Sequence, residues 1–222
     1  MSAVADTAAF FDLDRTLIDV NSGTIWAKHE WAEKNISSLQ FGQALLWIGM
    51  YHFSLIDMEA ALSKALGFYR NTTAKELEAR TRGWFVSQIE QRLRPEAKIA
   101  VGNHREQGHR LVMATSTSCF QAKIATERFG LDECIANEYE VDEDGRFTGK
   151  TIGDICYGEG KKEKALRWAI RNDIDMAASF FYSDSYSDLP LLQAVGHPKV
   201  VCPDPRLRRY ATQHGWPIFD WQ

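Results

Sequence analysis

Four short apolar runs, near residues 7–13, 110–115, 178–183 and 198–202, constrain this 222-residue chain more than any other feature. Between and after them stand stretches with helical spacing, at 96–107, 119–129, 161–172, 189–194 and 204–214. Strand followed by helix, repeated, predicts a parallel sheet with right-handed crossovers, hence an α/β fold. The first three runs end in or beside Asp12, Thr115 and Asp184. Open α/β sheets bind ligands at the carboxyl ends of their strands, so these three residues are drawn toward one place.

The alternation is interrupted once. Residues 18–92 follow the first strand directly and read as helical throughout. Ser22 is a candidate cap for a helix carrying Trp26, His29 and Glu30. Asp57 is a candidate cap for a second, with Met58, Ala61, Leu62, Ala65 and Leu66 at helical spacing. Thr73 opens a third, with Glu76 in capping-box position. The expected organisation is a core domain of residues 1–17 and 93–222, with a helical domain of residues 18–92 inserted over the strand ends. Residues 138–149 read as a β-hairpin around Asp144-Gly145. That hairpin superficially resembles a calcium loop, but Arg146 stands where an oxygen ligand belongs and the closing Glu is missing.

Charged residues make up 25% of the chain and the net charge is −4, which offers no basic face for nucleic acid. The four cysteines are far apart, with no Cys-x-x-Cys pair, and are expected as free thiols in a reducing cytoplasm. Met1 to Thr7 show no basic and apolar leader pattern, so a cytoplasmic protein is expected. The uncharged stretch 41–53 is strongly apolar, yet Gly42, Gln43, Gly49 and His52 interrupt it. It reads as a buried or half-buried helix rather than a membrane span, and no membrane partner is expected. A monomer or a homodimer is expected.

Asp12-Leu13-Asp14-Arg15-Thr16 closes the first strand with two carboxylates two residues apart. Carboxylates at a strand end suit a hard cation such as Mg²⁺ and the phosphate that accompanies it; the plainer alternative is a solvated turn. Thr115 and the following Ser116-Thr117-Ser118 offer hydroxyls and free amides at a helix start, which is either a phosphate cradle or an ordinary cap. Lys161, in Gly158-Glu159-Gly160-Lys161, offers a cation, although the run is no Walker A loop. Asp184 ends a strand and Asp188 lies one turn on, either facing a metal or forming an acidic turn.

The joint order of these signals resembles the haloacid dehalogenase-like hydrolase superfamily, and within it the phosphoserine-phosphatase-like subfamily. The runs 12–17, 157–161 and 182–190 carry the resemblance, which spans nearly the whole chain. It implies a Rossmann-like core with an inserted all-helical cap of the C1 type and a small β-hairpin. It implies that Asp12 is the nucleophile of a Mg²⁺-dependent phosphomonoesterase and forms an aspartyl-phosphate, with Asp14 as general acid and then base. Asp12, the Asp14 carbonyl and Asp184 would hold Mg²⁺, with Asp188 orienting them. Thr115, Ser116 and Lys161 would hold phosphate oxygens, and Thr16 would support the loop. Arg15 stands where glycine is frequent in the superfamily and is directed either to the cap and substrate or to solvent.

The expected partner is a small-molecule phosphomonoester. Phosphoserine itself fits poorly, because Asn21 aligns with the cap carboxylate that phosphoserine phosphatases use, and Ala65 with their cap arginine. His29 and Glu30 on the first insert helix, with Asn21 and Arg15, are the candidate substrate contacts. An amino-alcohol phosphate such as histidinol phosphate, a lipid phosphate at a membrane surface, and a phospho-ligand-binding protein with little turnover are the alternatives.

Overall fold

A computed structural model describes residues 6–52, 62, 64–70 and 72–222. Its centre is a seven-stranded sheet. In chain order the strands are β1 (Ala8–Phe11), β2 (Arg110–Ser118), β3 (Glu133–Val141), β4 (Phe147–Ile152), β5 (Phe180–Ser183), β6 (His197–Val201) and β7 (Ile218–Phe219). Across the sheet they run β4-β3-β2-β1-β5-β6-β7. All neighbours are parallel except β3 and β4, which form the antiparallel hairpin at one edge.

The first strand shows why the sheet is central. All four residues of β1 are fully buried. Ala9 and Phe11 pack into one apolar cluster, while Ala8 and Phe10 pack into a second. Successive side chains of a strand point to opposite faces, so the run is apolar throughout because both faces are covered. The described α-helices are α1 (Ser22–Ala32), α2 (Ser38–His52), α3 (Ala74–Trp84), α4 (Pro95–Glu106), α5 (Cys119–Phe129), α6 (Glu159–Arg171), α7 (Leu189–Ala194) and α8 (Pro205–His214), and shorter helical turns stand between several of the elements. The fold is the expected parallel α/β sheet.

Between β1 and β2 the described residues contain no sheet strand. The chain leaves and returns through one narrow crossing. Ile18 bridges Leu93 antiparallel, Arg94 N–H donates to the Leu17 carbonyl at 2.9 Å, and Asp19 N–H donates to that of Arg92 at 3.2 Å. Two strands crossing side by side keep the excursion's ends together whatever happens inside it.

Several local expectations change. Asn21, not Ser22, caps α1, its side-chain oxygen accepting from Thr24 N–H at 2.9 Å. The capping box of Thr73 and Glu76 is present at α3. Asp57, Met58 and Ala61, on which a further helix was placed, lie outside the described residues, as do Phe53 and Asn71. Strand β2 runs on to Ser118, and the hairpin's first strand begins at Glu133, because pairing with β2 extends it. Short β7 carries no periodicity of its own and exists through pairing with β6. Among the described residues no helix is long and apolar enough to cross a membrane.

Candidate active site

The carboxyl ends of β1, β2 and β5 converge with the start of α6. Asp12 follows β1 and is 7% exposed; its N–H donates to the Tyr182 carbonyl at 2.9 Å, tying it to β5. The chain then turns sharply, with Asp14 extended and Arg15 left-handed at φ 56°. The turn is closed by Arg15 N–H on the Val20 carbonyl at 3.1 Å and by Ile18 N–H on that of Leu13 at 3.0 Å. Arg94 reaches in from the neck and donates to the Arg15 carbonyl at 3.4 Å and to that of Trp221 at 3.0 Å. A left-handed residue is easiest for glycine, which gives the family's usual residue at this position a physical reason. The Arg15 side chain is exposed.

Lys161, in the first turn of α6, is 1% exposed and sits between two carboxylates. Its Nζ lies 3.2 Å from Asp12 Oδ1 and 2.8 Å from Asp188 Oδ2. Ser183 donates its hydroxyl to the same Asp188 oxygen at 2.6 Å. Gly160 lets α6 begin here, because a Cβ at that position would fall well inside contact with the Ile155 carbonyl oxygen. A side chain at residue 160 would therefore push the helix start away from the site.

Asp14 faces the other way, toward α1. Its Oδ1 accepts from Ser22 N–H at 3.0 Å and its Oδ2 from the Asn21 amide at 3.3 Å. Burial raises the Asp14 pKa, against these hydrogen bonds and the charges of Arg15 and Lys161. Burial also pushes Asp12 up to about 7, although Lys161 pulls it back. Asp184, likewise buried, is raised well above the ordinary carboxylate value, first by burial and then by the charges of Asp12 and Asp188. Lys161 thus contacts two of these carboxylates, Asp12 and Asp188, while Asp14 and Asp184 add buried negative charge nearby. That excess of buried negative charge is what an added cation would relieve.

The donor set fits a hard cation. Asp12 and Asp184 supply carboxylate oxygens, and the Asp14 carbonyl belongs to the same turn. Among the described residues no group of three or more His, Cys, Asp or Glu side chains is placed to hold a metal ion.

Thr115 is buried, and its Oγ1 accepts from Thr117 N–H at 3.3 Å. Ser118 caps α5, accepting from Gln121 N–H at 3.3 Å. The Ser116 hydroxyl is buried without a hydrogen-bond partner, as is that of Thr16. Buried hydroxyls left unpaired are unusual, and that of Ser116 is available to an incoming anion. The Ser116 carbonyl is held by Asn137 Nδ2 at 2.7 Å. A lone asparagine in a strand gives no sequence signal for that role. Nor does the amide of Ser22, which acts through its backbone.

Beside Asp14 opens a cavity of about 300 Å³. Its lining includes Asp14, Asn21, Ser116, Thr117, Ser118 and Gln121. The insert adds apolar residues to its wall, among them Trp26, Ile48 and Ala65. Two of the candidate substrate contacts, His29 and Glu30, lie off the cavity wall. Glu30 is fully buried, its carboxylate accepting from Asn35 at 2.9 Å and standing 3.6 Å from Arg80. His29 meets Gln88 at 3.3 Å and the Trp26 ring. Neither lines the cavity, because both point into the packing among α1, α3 and the segment that follows α3. Asn21 does line it. Lys64 and Arg70, the basic residues nearest Ala65 in sequence, are exposed and do not line it.

A family model described as haloacid dehalogenase-like hydrolase matches residues 9–193. A protein named histidinol-phosphatase from Neisseria meningitidis serogroup C (strain 8013) is 28% identical over 218 residues, covering 96% of this chain and 98% of that protein. Phosphoserine phosphatase SerB1 of Mycobacterium tuberculosis (strain ATCC 25618 / H37Rv) is 30% identical over 220 residues, covering 97% of this chain and 71% of that protein. A crystal structure of a protein with unknown function from Bordetella pertussis Tohama I superposes with a TM-score of 0.89 at 28% identity, covering 98% and 99% of the two chains.

Proposed function

The chain belongs to the haloacid dehalogenase-like hydrolase family, and from that premise we propose that it is a Mg²⁺-dependent phosphomonoesterase acting on a small organic phosphate. The observation that carries the reading is the division of labour between Asp12 and Asp14. One carboxylate is paired with a buried lysine at the bottom of the site. The other accepts from Ser22 and Asn21 at the mouth of the cavity. The names of the relatives from Neisseria meningitidis and Mycobacterium tuberculosis support phosphate esters as the substrate class.

Asp12 Oδ attacks phosphorus, and the bond from phosphorus to the ester oxygen breaks. Asp14, whose burial favours its protonated form, gives that proton to the departing alcohol oxygen. The resulting aspartyl-phosphate is then attacked at phosphorus by water. Asp14, now ionised, takes the water's proton, and Asp12 is regenerated with release of phosphate. Lys161, the Ser116 hydroxyl and the Thr115 side chain hold the non-bridging oxygens as their charge redistributes. Asp188 and Ser183 fix the lysine in place. Mg²⁺, held by Asp12, the Asp14 carbonyl and Asp184, would supply the positive charge that lets carboxylates and phosphate share the site. The helical segment 18–92 serves as a cap that supplies the leaving-group side of the site.

The test is phosphate release from p-nitrophenyl phosphate with Mg²⁺ present. Turnover abolished by EDTA, restored by Mg²⁺ and absent in Asp12→Asn supports the reading. Full activity in Asp12→Asn overturns the nucleophile assignment, and activity indifferent to EDTA overturns the metal.

A further inference from the structure

Resting on the phosphomonoesterase reading, we propose that the leaving alcohol carries an uncharged apolar chain or ring at its far end, and no carboxylate. The cavity beside Asp14 has a built polarity. Hydroxyl and amide residues beside Asp14 line it together with a larger apolar set from the insert. Trp47 and Phe68 both belong to that apolar set and stack on each other at 5.8 Å with planes 15° apart. Trp26 joins them, with its Nε1–H already spent on Tyr69 Oη at 3.0 Å. That hydrogen bond leaves the indole's apolar faces, and no donor, to the cavity.

Charge points the same way. Among the described residues no lysine or arginine lines the cavity, and Asp14 is its sole acidic residue. A carboxylate placed against that apolar set would lose its hydration with no cation to replace it, a penalty no enzyme recovers from apolar contacts. A site lacking the group that a polar substituent needs selects against that substituent, and an apolar wall selects for hydrocarbon. The volume is at the low end of ligand cavities, room for a modest chain or a single ring system rather than a bulky conjugate. Asn21 and the hydroxyls of 116–118 still accommodate a small polar group next to the ester.

The experiment is a series of methyl, butyl, hexyl and octyl phosphates, with 3-phenylpropyl phosphate as the ring arm and O-phosphoserine as the charged comparison, all with Mg²⁺. Expected is a rise in kcat/KM of about threefold per methylene until the cavity is filled. Octyl or 3-phenylpropyl phosphate should exceed O-phosphoserine by on the order of a hundredfold. Trp47→Ala should lower the gain per methylene along the series, because the stacked rings that a longer chain would meet are then gone. A flat wild-type series, or O-phosphoserine equal to octyl phosphate, overturns the inference and leaves the phosphatase reading intact. If no ester is turned over, the reading of the site fails instead. Calorimetric binding of octylphosphonate against methylphosphonate then decides the inference by itself: tighter octyl binding supports it and equal binding overturns it.

Discussion

The Nζ of Lys161 stands within 2.8 Å of both carboxylate oxygens of Asp188, with side chains only 1% exposed on each partner. The same ammonium reaches Asp12 at 3.2 Å. One buried cation therefore couples the end of β1 to the turn after β5.

Removing that cation leaves two buried carboxylates without a counter-charge, and Asp188 with only the Ser183 hydroxyl. Breaking a buried pair from one side costs about 3–5 kcal/mol. For a chain of this size that corresponds to a loss in Tm on the order of 10 °C. Lys161→Met should show it in a thermal melt, together with loss of turnover. Lys161→Arg should not restore activity, because a planar fork does not fit between two carboxylates arranged for a compact ammonium. An unchanged melt in Lys161→Met would remove the pair from the account of stability.

Asp14 is assigned proton transfer, so its loss should depend on the leaving group. Asp14→Asn should lower kcat for an alkyl phosphate by about 10²–10⁴-fold. For p-nitrophenyl phosphate, whose phenolate leaves without a proton, the loss should be smaller. Asp12→Asn should abolish both alike. Equal losses for the two esters in Asp14→Asn would show that Asp14 serves another purpose.

Gly160 is required by close approach rather than by a turn. Its place against the Ile155 carbonyl leaves no room for a methyl group. Gly160→Ala should destabilise by about 1–3 kcal/mol through overpacking. Because residue 161 follows directly, kcat/KM should fall by at least about tenfold from misplacement of the lysine. A melt and a kinetic assay on the same preparation check both effects; a variant that is less stable but fully active would separate Gly160 from the site.

Acid sensitivity is expected from a different place. His104 stands on the buried face of α4, with Nε2 2.9 Å from Tyr182 Oη and Nδ1 2.8 Å from His109 Nδ1. Burial pushes its pKa down to about 4, and the charges of His109 and Lys199 add to the effect. The unfolded chain takes up a proton near the ordinary value of 6.5, where the folded protein does not. Stability should therefore fall as pH drops from 6.5 toward 4, with no contribution from this residue above 6.5. Denaturant melts of His104→Gln should show a shallower fall over that interval. A slope identical to wild type would assign the acid sensitivity elsewhere.

Much of the site was legible because its chemistry is local. Asp12 and Asp14 stand out by spacing, but alone they read equally as a solvated turn, and it is the later motifs in order that tip the reading. Thr115, Lys161, Asp184 and Asp188 needed the order of strands, which apolar runs supply. The substrate side was harder. Trp26, Trp47, Phe68 and Tyr69 all line the cavity, although aromatic residues in a helical segment usually only fill its core. His29 and Glu30 looked exposed to substrate by their place in sequence, yet packing turned them inward.

The pattern of apolar runs by itself determined the parallel sheet, the interruption after β1 and the strand ends where polar groups gather, because periodicity and breakers act within a few residues. Only the tertiary structure decided which polar groups meet. Lys161 pairs with Asp12 and Asp188 across 149 and 27 residues, and Asn137 reaches Ser116 from the next strand. Only the fold, too, made a cavity of insert aromatics and left it without a cation among the described residues. Spacing along a chain fixes which face a side chain occupies, whereas the partner it finds there depends on how separate elements pack.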